Sequence, residues 1–365
     1  MSTAVETSVV SFPLERPTLR ARWRDAKSGH ASLPYFITGD ENRLAHFACQ
    51  NQTDVFQLGN PLLLTGAIGT GKTAIALHLA AQHLIGLGLA QDTKAVVYLP
   101  AIDFARSYAE AANSDDMPPF REHIDQAPVL VIDDLHLMVD KKAAQEELAA
   151  RIEARSDAQK PTILVCRRLP SEIRSLRPRL VSRALHGLTI PLSPPCDDAK
   201  RLILGELALV HDLQLGELEI DRLLAGLPDD VAVPAIDAAL QQVALLCRMK
   251  SAEPNVSMID QVIESTQQTS EVAIAKVAQT VARLMGLKTA DLRSSSRKQM
   301  VVRARSLAMY IARRNTSKSL DQIGKHFGGR DHSTVLHSIR KTESLLETDV
   351  DLHQVFNDVN EKLKS

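Results

Sequence analysis

The segment GAIGTGKT, residues 66–73, constrains the fold of this chain more than any other. Leu62 to Leu64 before it form a short apolar run typical of a buried strand, and a helical pattern follows it. Glycines allow the tight turn that directs main-chain N–H groups inward, and the next helix presents its positive N-terminus to the same point. Strand, loop and helix in this order predict a phosphate-binding site in an α/β domain.

The side chains of this loop predict how a nucleoside triphosphate would be held. Lys72 is expected to bridge β- and γ-phosphate oxygens, and the hydroxyl of Thr73 to bind Mg²⁺. The pattern fits ATP or GTP. The predicted nucleotide-binding residues are Gly66, Gly69, Thr70, Gly71, Lys72 and Thr73.

Two adjacent acids follow the apolar run Val129 to Ile132, about sixty residues after the loop. Asp133 is expected to hold Mg²⁺, directly or through water, and Asp134 to orient or deprotonate the attacking water. An ordinary turn cap is the alternative for this pair.

Hydrolysis also needs positive charge against the γ-phosphate, which an arginine of a neighbouring subunit commonly supplies. Arg183, in RPRLVSRALHGL, is the candidate, and Arg179 lies one helical turn earlier on the same face. The alternative is that both are solvated surface arginines.

Apolar runs alternate with helical patterns in the first half of the chain, which predicts a parallel sheet. Strands are expected at PLLLTG, AVVYLP, VLVIDD and TILVC, and helices over Ala74 to Leu84 and around Phe104 and Leu148. Helical periodicity alone continues beyond Asp198. The expected organisation is a flexible leader (1–32), an α/β nucleotide-binding domain (33–195), a helical lid (196–250), a linker and connecting helix (251–271) and an all-helical domain (272–365).

Composition excludes several classes of protein. The 365 residues are 44% hydrophobic and 24% charged, as in a globular protein of two or three domains. No uncharged run approaches the roughly 18 residues that cross a bilayer, so a cytoplasmic protein is expected. The four cysteines lack CxxC spacing, which argues against a disulfide framework or a zinc site.

The net charge of −1 conceals a strongly basic segment. Residues 288–341 contain 13 basic and 3 acidic side chains, so the rest of the chain is acidic. Such a run can be a solvated face. Beside the helix-turn-helix pattern described next, it favours a nucleic-acid backbone as the partner.

The helix-turn-helix pattern lies in the last fifth of the chain. Ser319 and Gln322 can form a capping box for LDQIGKHF, and Gly328 with Gly329 can end that helix. The next helix begins with Asp331, His332, Ser333 and Thr334, which offer donors, acceptors and a methyl group to base edges. We predict that it reads double-stranded DNA, the alternative being that these residues only cap a helix.

Other positions in this basic segment have simpler interpretations. Met300, Leu307, Tyr310 and Ile311 recur at helical spacing and are expected in the core. Lys298, Lys325 and Lys341 are expected to contact phosphates rather than bases. Lys141 and Lys142, after the Asp pair, raise the hypothesis of contact with single-stranded DNA, although exposed lysines are usually only solvated.

GDENRLAH, GAIGTGKT, VLVIDDLHLM, RLVSRALHGL and above all FGGRDHSTVLHSIRK resemble the bacterial chromosomal replication initiator DnaA family. The resemblance covers roughly residues 34 to 365. It implies an AAA+ fold, adenine recognition near Gly39 to Asn42, and ATP-dependent self-association on origin DNA in which Arg183 reaches a neighbour's nucleotide. It also implies that Arg330 to Thr334 read the DnaA box, with Arg303 and Arg305 at minor-groove or backbone contacts.

Three departures from the family pattern modify these expectations. Where the family carries an N-terminal domain that contacts the helicase, only a short leader is expected here. Arg167, in VCRR, stands where the family usually has an acid, and Pro234 stands where the lid normally supplies an arginine. We therefore expect nucleotide binding with slow or absent turnover.

Two functions from different classes remain. The first is an ATP-switched initiator with weak ATPase activity, which the intact loop, the Asp pair and Arg183 favour. The second is a non-catalytic regulator that occupies DnaA boxes and uses ATP only structurally, which the departures favour. A helicase loader is disfavoured, because loaders do not need this DNA-reading helix. We favour the initiator.

Overall fold

The computed structural model describes residues 9–17, 33–50, 55–92, 94–173, 175–228, 231–316 and 318–364. The chain divides into two compact units. The first comprises residues 1–210 and 232–238, and the second comprises residues 211–231 and 239–365.

A parallel sheet of five strands forms the centre of the first unit, as the alternating pattern predicted. Its strands are β3 (Leu62–Gly66), β4 (Val96–Pro100), β5 (Val129–Asp133), β6 (Thr162–Cys166) and β7 (Leu188–Leu192), in the order β4-β5-β6-β3-β7. Because these strands are parallel, the loop after β3 and the acids that end β5 come to the same edge of the sheet, separated only by the end of β6.

Helices cover both faces of this sheet. They are α1 (Arg43–Gln50), α2 (Lys72–Gly86), α3 (Ala101–Asn113), α4 (Met117–Gln126), α5 (Lys142–Asp157), α6 (Pro178–Ala184) and α7 (Asp197–Val210), with short 3-10 turns at Asp40–Asn42, Val55–Gln57, Leu135–Met138 and Pro170–Glu172. Alternate residues of each strand point to opposite faces. Leu63 and Leu164 therefore join the core under α3 and α5, whereas Leu62 and Leu64 join the core under α2.

The predicted leader contains a strand, which corrects part of that expectation. β1 (Val10–Pro13) pairs in antiparallel fashion with β2 (Tyr35–Thr38). Phe12 is buried, and its ring packs 5.5 Å from that of Phe36. Burial of this one apolar side chain stabilises the strand. The segment is too short and too rich in proline for hydrophobic periodicity to predict it. Residues 1–8 and 18–32 of the predicted leader lie outside the described residues.

The described residues of the second unit are helical and contain no strand, as predicted. The helices from residue 217 onward are α8 (Glu217–Gly226), α9 (Val233–Lys250), α10 (Val256–Leu284), α11 (Thr289–Arg293), α12 (Gln299–Asn315), α13 (Leu320–His326), α14 (His332–Thr348) and α15 (Val350–Lys364). The first six residues of α9 belong to the first unit. Helix α10 runs without a break through residues 271–272, where the sequence predicted a domain boundary.

The core of the last five helices confirms most of the predicted buried positions. Leu307 and Ile311 are fully buried and Tyr310 nearly so, in one cluster with residues of α10, α13 and α14. Met300 is the exception, because its side chain is 58% exposed. In the first turn of α12 the inward position is held by Val301, one residue further round the helix. Among the described residues, no helix is both long and apolar enough to span a membrane.

Candidate nucleotide site and nucleic-acid interface

A cavity of about 690 Å³ opens at the edge of the sheet where the phosphate loop and the Asp pair meet. Seven of the predicted site residues line it, namely Gly69, Thr70, Gly71, Lys72, Thr73, Asp133 and Asp134. Gly66, the remaining predicted nucleotide-binding residue, ends strand β3 and begins the loop. The volume lies within the range of small-molecule pockets.

The loop glycines permit the turn into helix α2. Gly71 caps this helix with φ at 82°, and a Cβ atom there would lie 2.5 Å from a ring carbon of Phe36. Only glycine fits this position without strain. Lys72 then begins a helix of 15 residues, and its Nζ donates a hydrogen bond to the carbonyl oxygen of Ala67 within the loop. Burial lowers the pKa of Lys72, and the charges of Asp133 and Asp134 oppose that shift.

Asp133 is the most constrained acid of the site, with 4% of its surface exposed. Its Oδ2 accepts hydrogen bonds from Thr73 Oγ1 at 2.8 Å and from the hydroxyl of Tyr98 at 2.7 Å. Its Oδ1 accepts the main-chain N–H of Asp134 at 2.8 Å. A threonine hydroxyl and a carboxylate side by side provide the oxygen ligands that Mg²⁺ prefers, so these residues fit the metal.

Asp134 is half-buried and lies at the wall of the cavity, with φ at 54°. This left-handed conformation turns the chain into the 3-10 segment Leu135–Met138. One of its carboxylate oxygens lies 3.9 Å from Nδ1 of His136. Burial, together with the positive charges of Arg167 and Lys72, lowers the pKa of His136 to about 4, so this histidine is neutral near pH 7.

The two departures from the family pattern both lie at the cavity. Arg167 follows strand β6 and lines the wall beside the Asp pair. Pro234 lines another wall, together with Val233, and a Cβ atom added to Gly69 would lie 2.7 Å from its Cδ. The start of α9 therefore packs against the phosphate loop and brings no charge to it.

The rest of the cavity is mainly apolar and suits a nucleobase. Its walls there include Leu14, Phe36, Ile37, Ile203 and Leu207. Asn42, in the segment predicted to recognise adenine, also lines it. Its amide group bonds to Thr38 Oγ1 and to both main-chain polar groups of Ser193, so it braces the wall.

Arg183 lies on helix α6, and its guanidinium group binds Glu153 of α5. Arg179 binds the other oxygen of the same carboxylate at 2.9 Å, which lowers the pKa of Glu153. The buried Gln145 braces the start of α6: its Oε1 accepts the N–H of Arg177 at 2.7 Å, and its Nε2 donates to the carbonyl of Met138 at 2.7 Å. The turn after the Asp pair is thus linked to the helix that carries Arg183.

The predicted helix-turn-helix is confirmed in its local geometry. Ser319 and Gln322 form the capping box at the start of α13, each side chain accepting the other residue's main-chain N–H. Gly328 and Gly329 follow with φ at 89° and 70°. A Cβ atom at Gly328 would lie 2.1 Å from the carbonyl oxygen of Arg293, so the close approach requires glycine.

The N-terminus of helix α14 is exposed at four consecutive residues, Asp331 to Thr334. Asp331 caps the helix, because its Oδ1 accepts the N–H of Thr334 at 2.7 Å and the hydroxyl of Ser333 at 3.1 Å. A hydrogen bond from the side chain of Thr334, together with these two bonds, lowers the pKa of its carboxyl group. The side chains of His332 and Thr334 project from a fixed helical turn, which is the arrangement that major-groove contact requires.

The arginines predicted to contact DNA differ from these exposed residues. Arg305 is 7% exposed, and its guanidinium group donates to the carbonyls of Leu292 at 2.7 Å and Ser294 at 2.8 Å, and to two others of the same segment. Arg330 also donates to Ser294, at 2.9 Å. Arg303 is ion-paired with Asp349. Contact of these three arginines with DNA stays a prediction.

Two family models match the chain. The model of the bacterial DnaA ATPase domain matches residues 30–191, and the model of the bacterial DnaA helix-turn-helix matches residues 274–342. The chromosomal replication initiator protein DnaA of Lactiplantibacillus plantarum is 32% identical over 338 residues, which cover 90% of this chain and 72% of that protein. This chain belongs to the DnaA family.

Solved structures agree with the family. The AMPPCP-bound DnaA of Aquifex aeolicus is 25% identical, with a TM-score of 0.52, and the match covers 90% of this chain and 96% of that one. A crystal structure of a DNA replication initiation factor is also 25% identical, with a TM-score of 0.55 and coverage of 90% and 95%. The AAA+ fold and the helix-turn-helix inferred from the sequence are those of DnaA.

Two residues of this DnaA homologue support the site although their local sequence does not predict it. Tyr98 lies within AVVYLP, whose pattern predicts only a strand, yet its hydroxyl donates a hydrogen bond to Asp133. The signal was present in principle: in the parallel register Tyr98 pairs with Val131, whose side chain shares the face of Asp133 two residues on. Gln145 gave no signal, because its bonds join segments that only the folded chain brings together.

Proposed function

We propose that this DnaA homologue binds ATP and Mg²⁺ in the first unit and DnaA boxes of double-stranded origin DNA in the second, and that ATP controls its self-association on that DNA. The observation that carries the proposal is the cavity in which the phosphate loop, Thr73 and Asp133 meet, in a chain that also presents the exposed, capped helix of a DNA reader. AMPPCP, an ATP analogue, occupies the related Aquifex protein. We also propose that the protein acts in the cytoplasm. The domain limits expected from the sequence are part of the same proposal.

Lys72 would hold the β- and γ-phosphates, and Thr73 with Asp133 would hold Mg²⁺, which neutralises charge on the phosphates when bound. To bind phosphate, Lys72 would give up its hydrogen bond to the Ala67 carbonyl and donate to phosphate oxygens instead. Asp134 would orient water. Arg183 would reach the nucleotide of a neighbouring subunit and would bind the γ-phosphate in place of Glu153. Gln145 links the helix of Arg183 to the turn after Asp134, which gives a structural route between Arg183 and the Asp pair.

On the DNA side, His332, Ser333 and Thr334 would meet base edges in the major groove, with Asp331 holding the turn. Arg303, Arg305 and Arg330 would support or extend that contact. Single-stranded DNA is a second partner, for which Lys141 and Lys142 are the candidate contacts.

Size measurement on a duplex with several DnaA boxes tests this function. Light scattering behind a sizing column should show larger complexes with ATP than with ADP. Arg183→Ala should remove the difference while leaving ATP bound. Arg179→Ala is the matched control, because it loses a bond to the same Glu153 carboxylate and should keep the ATP-dependent complexes. Equal sizes with ATP, ADP and no nucleotide would reject the switch.

The second candidate function is a regulator that occupies DnaA boxes without a nucleotide switch. Pro234 at the cavity wall favours it, because this wall brings no cation to the phosphates. The same sizing experiment separates the two functions: a regulator binds its boxes with equal affinity and equal stoichiometry in ATP and ADP.

A further inference from the structure

The basic segment at residues 288–341 contains three acidic residues, Asp291, Asp321 and Asp331, although a phosphate backbone is its proposed partner. Two of them hold the starts of helices. Asp291 accepts a main-chain N–H at 2.9 Å in the capping box of α11, and Asp331 caps α14. Asp321 lies in the first turn of α13, whose capping box consists of two other residues. Capping therefore accounts for two of the three acids and leaves Asp321.

The carboxylate of Asp321 faces the helix that is proposed to read DNA. Its Oδ2 lies 3.7 Å from Nδ1 of His332, and the side chains of Asp321 and His332 are 64% and 58% exposed. This distance is too long for a hydrogen bond, but it places a full negative charge beside one nitrogen of the ring. An exposed pair of this kind contributes little to stability. Its position at the exposed end of α14 relates it to DNA binding instead.

The turn between the two helices fixes this geometry. The main-chain N–H of Arg330 donates to the carbonyl oxygen of Gly324 at 2.9 Å. A Cβ atom at Gly324 would lie 2.0 Å from the carbonyl oxygen of Arg330, so the two segments are in close contact. Ile323 of α13 and Val335 of α14 are fully buried in the same core cluster. The first turn of α13 is therefore held rigidly beside the first residue of α14.

The group that faces Nδ1 matters for base reading because of the chemistry of imidazole. A neutral ring carries one N–H and one lone pair, and the partner of one nitrogen decides where the proton resides. A carboxylate beside Nδ1 favours the proton on Nδ1. Nε2 is then an acceptor, and in the major groove an acceptor meets the amino group of adenine or cytosine. A proton on Nε2 would instead suit the carbonyl oxygen of guanine or thymine.

We propose that Asp321 is a positioning residue for base reading: it keeps the proton of His332 on Nδ1, so that Nε2 accepts from an amino group of adenine or cytosine in the cognate box. The proposal rests on the proposed reading of DNA by α14 and assigns one of its contacts to a chemical group. Docking on DNA displaces water from the pair, which strengthens the attraction between carboxylate and ring. The same negative charge repels phosphates and so weakens binding to random duplex.

Gel shifts with the full chain at pH 8, where the neutral form of imidazole is the ordinary one, test the proposal. Each duplex carries one DnaA box and lacks one amino group, with purine in place of adenine or 2-pyrimidinone in place of cytosine. The unaltered chain should bind one of these duplexes about 5-fold more weakly than the intact box, because Nε2 loses its donor. His332→Ala should remove that difference, and Asp321→Ala should reduce it to about 2-fold or less.

Three further variants separate positioning from charge and from helix stability. Asp321→Asn keeps an oxygen acceptor for Nδ1–H, so it should retain most of the difference, although it should bind random duplex more tightly, as Asp321→Ala should. In the His332→Ala background, Asp321→Ala should leave the response to the missing amino group unchanged. Asp351→Ala is the matched control, because Asp351 is an exposed acid in the first turn of α15, and it should preserve the full difference.

An equal loss of affinity for every duplex in Asp321→Ala would show that this acid only stabilises its helix, and would overturn the proposal. A difference that persists undiminished in Asp321→Ala would overturn it too, as would a contact of His332 that depends on none of the amino groups. These results leave cognate binding intact and reject only the role of Asp321. If the unaltered chain binds cognate and random duplexes equally, the proposed reading of DNA is itself wrong and both proposals fail.

Discussion

The nucleotide cavity and the DNA-reading helix hold their polar groups in different states. In the cavity the groups are partnered with one another: Lys72 with the loop carbonyl, and Asp133 with both Thr73 and Tyr98. On helix α14 the side chains of His332 and Thr334 are exposed to solvent, and their partners, Asp321 and Asp331, are exposed as well. The cavity must exchange buried internal bonds for ligand bonds, whereas the helix exchanges only weak bonds that water already reaches.

This difference separates the expected effects of substitution. Removing a partnered, buried group leaves another group unsatisfied, so it changes folding or ligand binding through its neighbours. Removing an exposed side chain on a capped helix changes only what binds there. Arg305 is the informative exception, because it lies beside the DNA-reading helix but is buried like a cavity residue. Substitutions of these groups therefore test whether the two regions differ in this way.

The largest effect is expected for Lys72→Ala. The loss of the ammonium group removes at least two charged hydrogen bonds to phosphate, so ATP affinity should fall by about 100-fold or more. Binding of the same full chain to a single DnaA box should not change, since the residues proposed to read DNA lie in the other unit. Calorimetry and gel shift with one box measure the two effects. An ATP affinity that survived the substitution would show that the loop does not hold the phosphates.

Arg305→Ala should come next, as a loss of stability in the second unit. Its guanidinium group satisfies the carbonyls of Leu292 and Ser294, so their desolvation without a partner should cost about 2–4 kcal/mol of unfolding free energy. Hydrogen exchange of main-chain amides in α12 and α14 would locate the loss. Arg305→Lys should recover little, because an ammonium group cannot reach the same fork of acceptors.

Arg297→Ala, an exposed arginine of the same basic segment, is the control and should leave exchange unchanged. If Arg305→Ala were equally neutral for exchange and lowered only DNA affinity, Arg305 would be a DNA contact, as the family resemblance implied. The contrast between buried and exposed arginines would then fail.

His332→Ala and Thr334→Ala should act on DNA alone. Each should cost about 1–3 kcal/mol against the cognate box and leave binding to random duplex nearly intact. Thr334→Ala keeps the main-chain N–H that Asp331 caps and loses only an exposed hydroxyl bond to the same carboxylate, so the melting temperature should fall little. Gel shifts on cognate and scrambled duplexes measure the difference. For contrast, Lys325→Ala should weaken both duplexes equally and reduce the slope of affinity against salt by about one. Equal losses on both duplexes for His332→Ala would contradict base reading.

Local patterns predicted most of the fold and the site, since each strand, each cap and the phosphate loop is written in consecutive residues. Gly71, Ser319 and Asp331 fill the conformations that their types suggested. The structural features that these patterns do not show have a common physical cause, which is that the deciding contact is distant in sequence. The burial of Arg305 depends on carbonyl groups 9 to 14 residues away. The bond from Tyr98 to Asp133 depends on the pairing of two strands, and the strand at Val10–Pro13 depends on contact with Phe36. No periodicity in one segment reports such contacts.

The smallest effect is expected for Tyr98→Phe, which tests whether the partnered state of the cavity matters for the metal. The change removes one of the hydrogen bonds on Asp133 Oδ2 and leaves the bond from Thr73. A net loss of about 1 kcal/mol in positioning the carboxylate should raise the Mg²⁺ concentration needed for half-maximal ATP binding about 5-fold. Tyr108→Phe also removes a tyrosine hydroxyl, but from the opposite face of the sheet, and should leave that concentration unchanged. An unchanged Mg²⁺ requirement in Tyr98→Phe would mean that Asp133 is held by the main chain and Thr73 alone, and that the cavity is less interdependent than its hydrogen bonds imply.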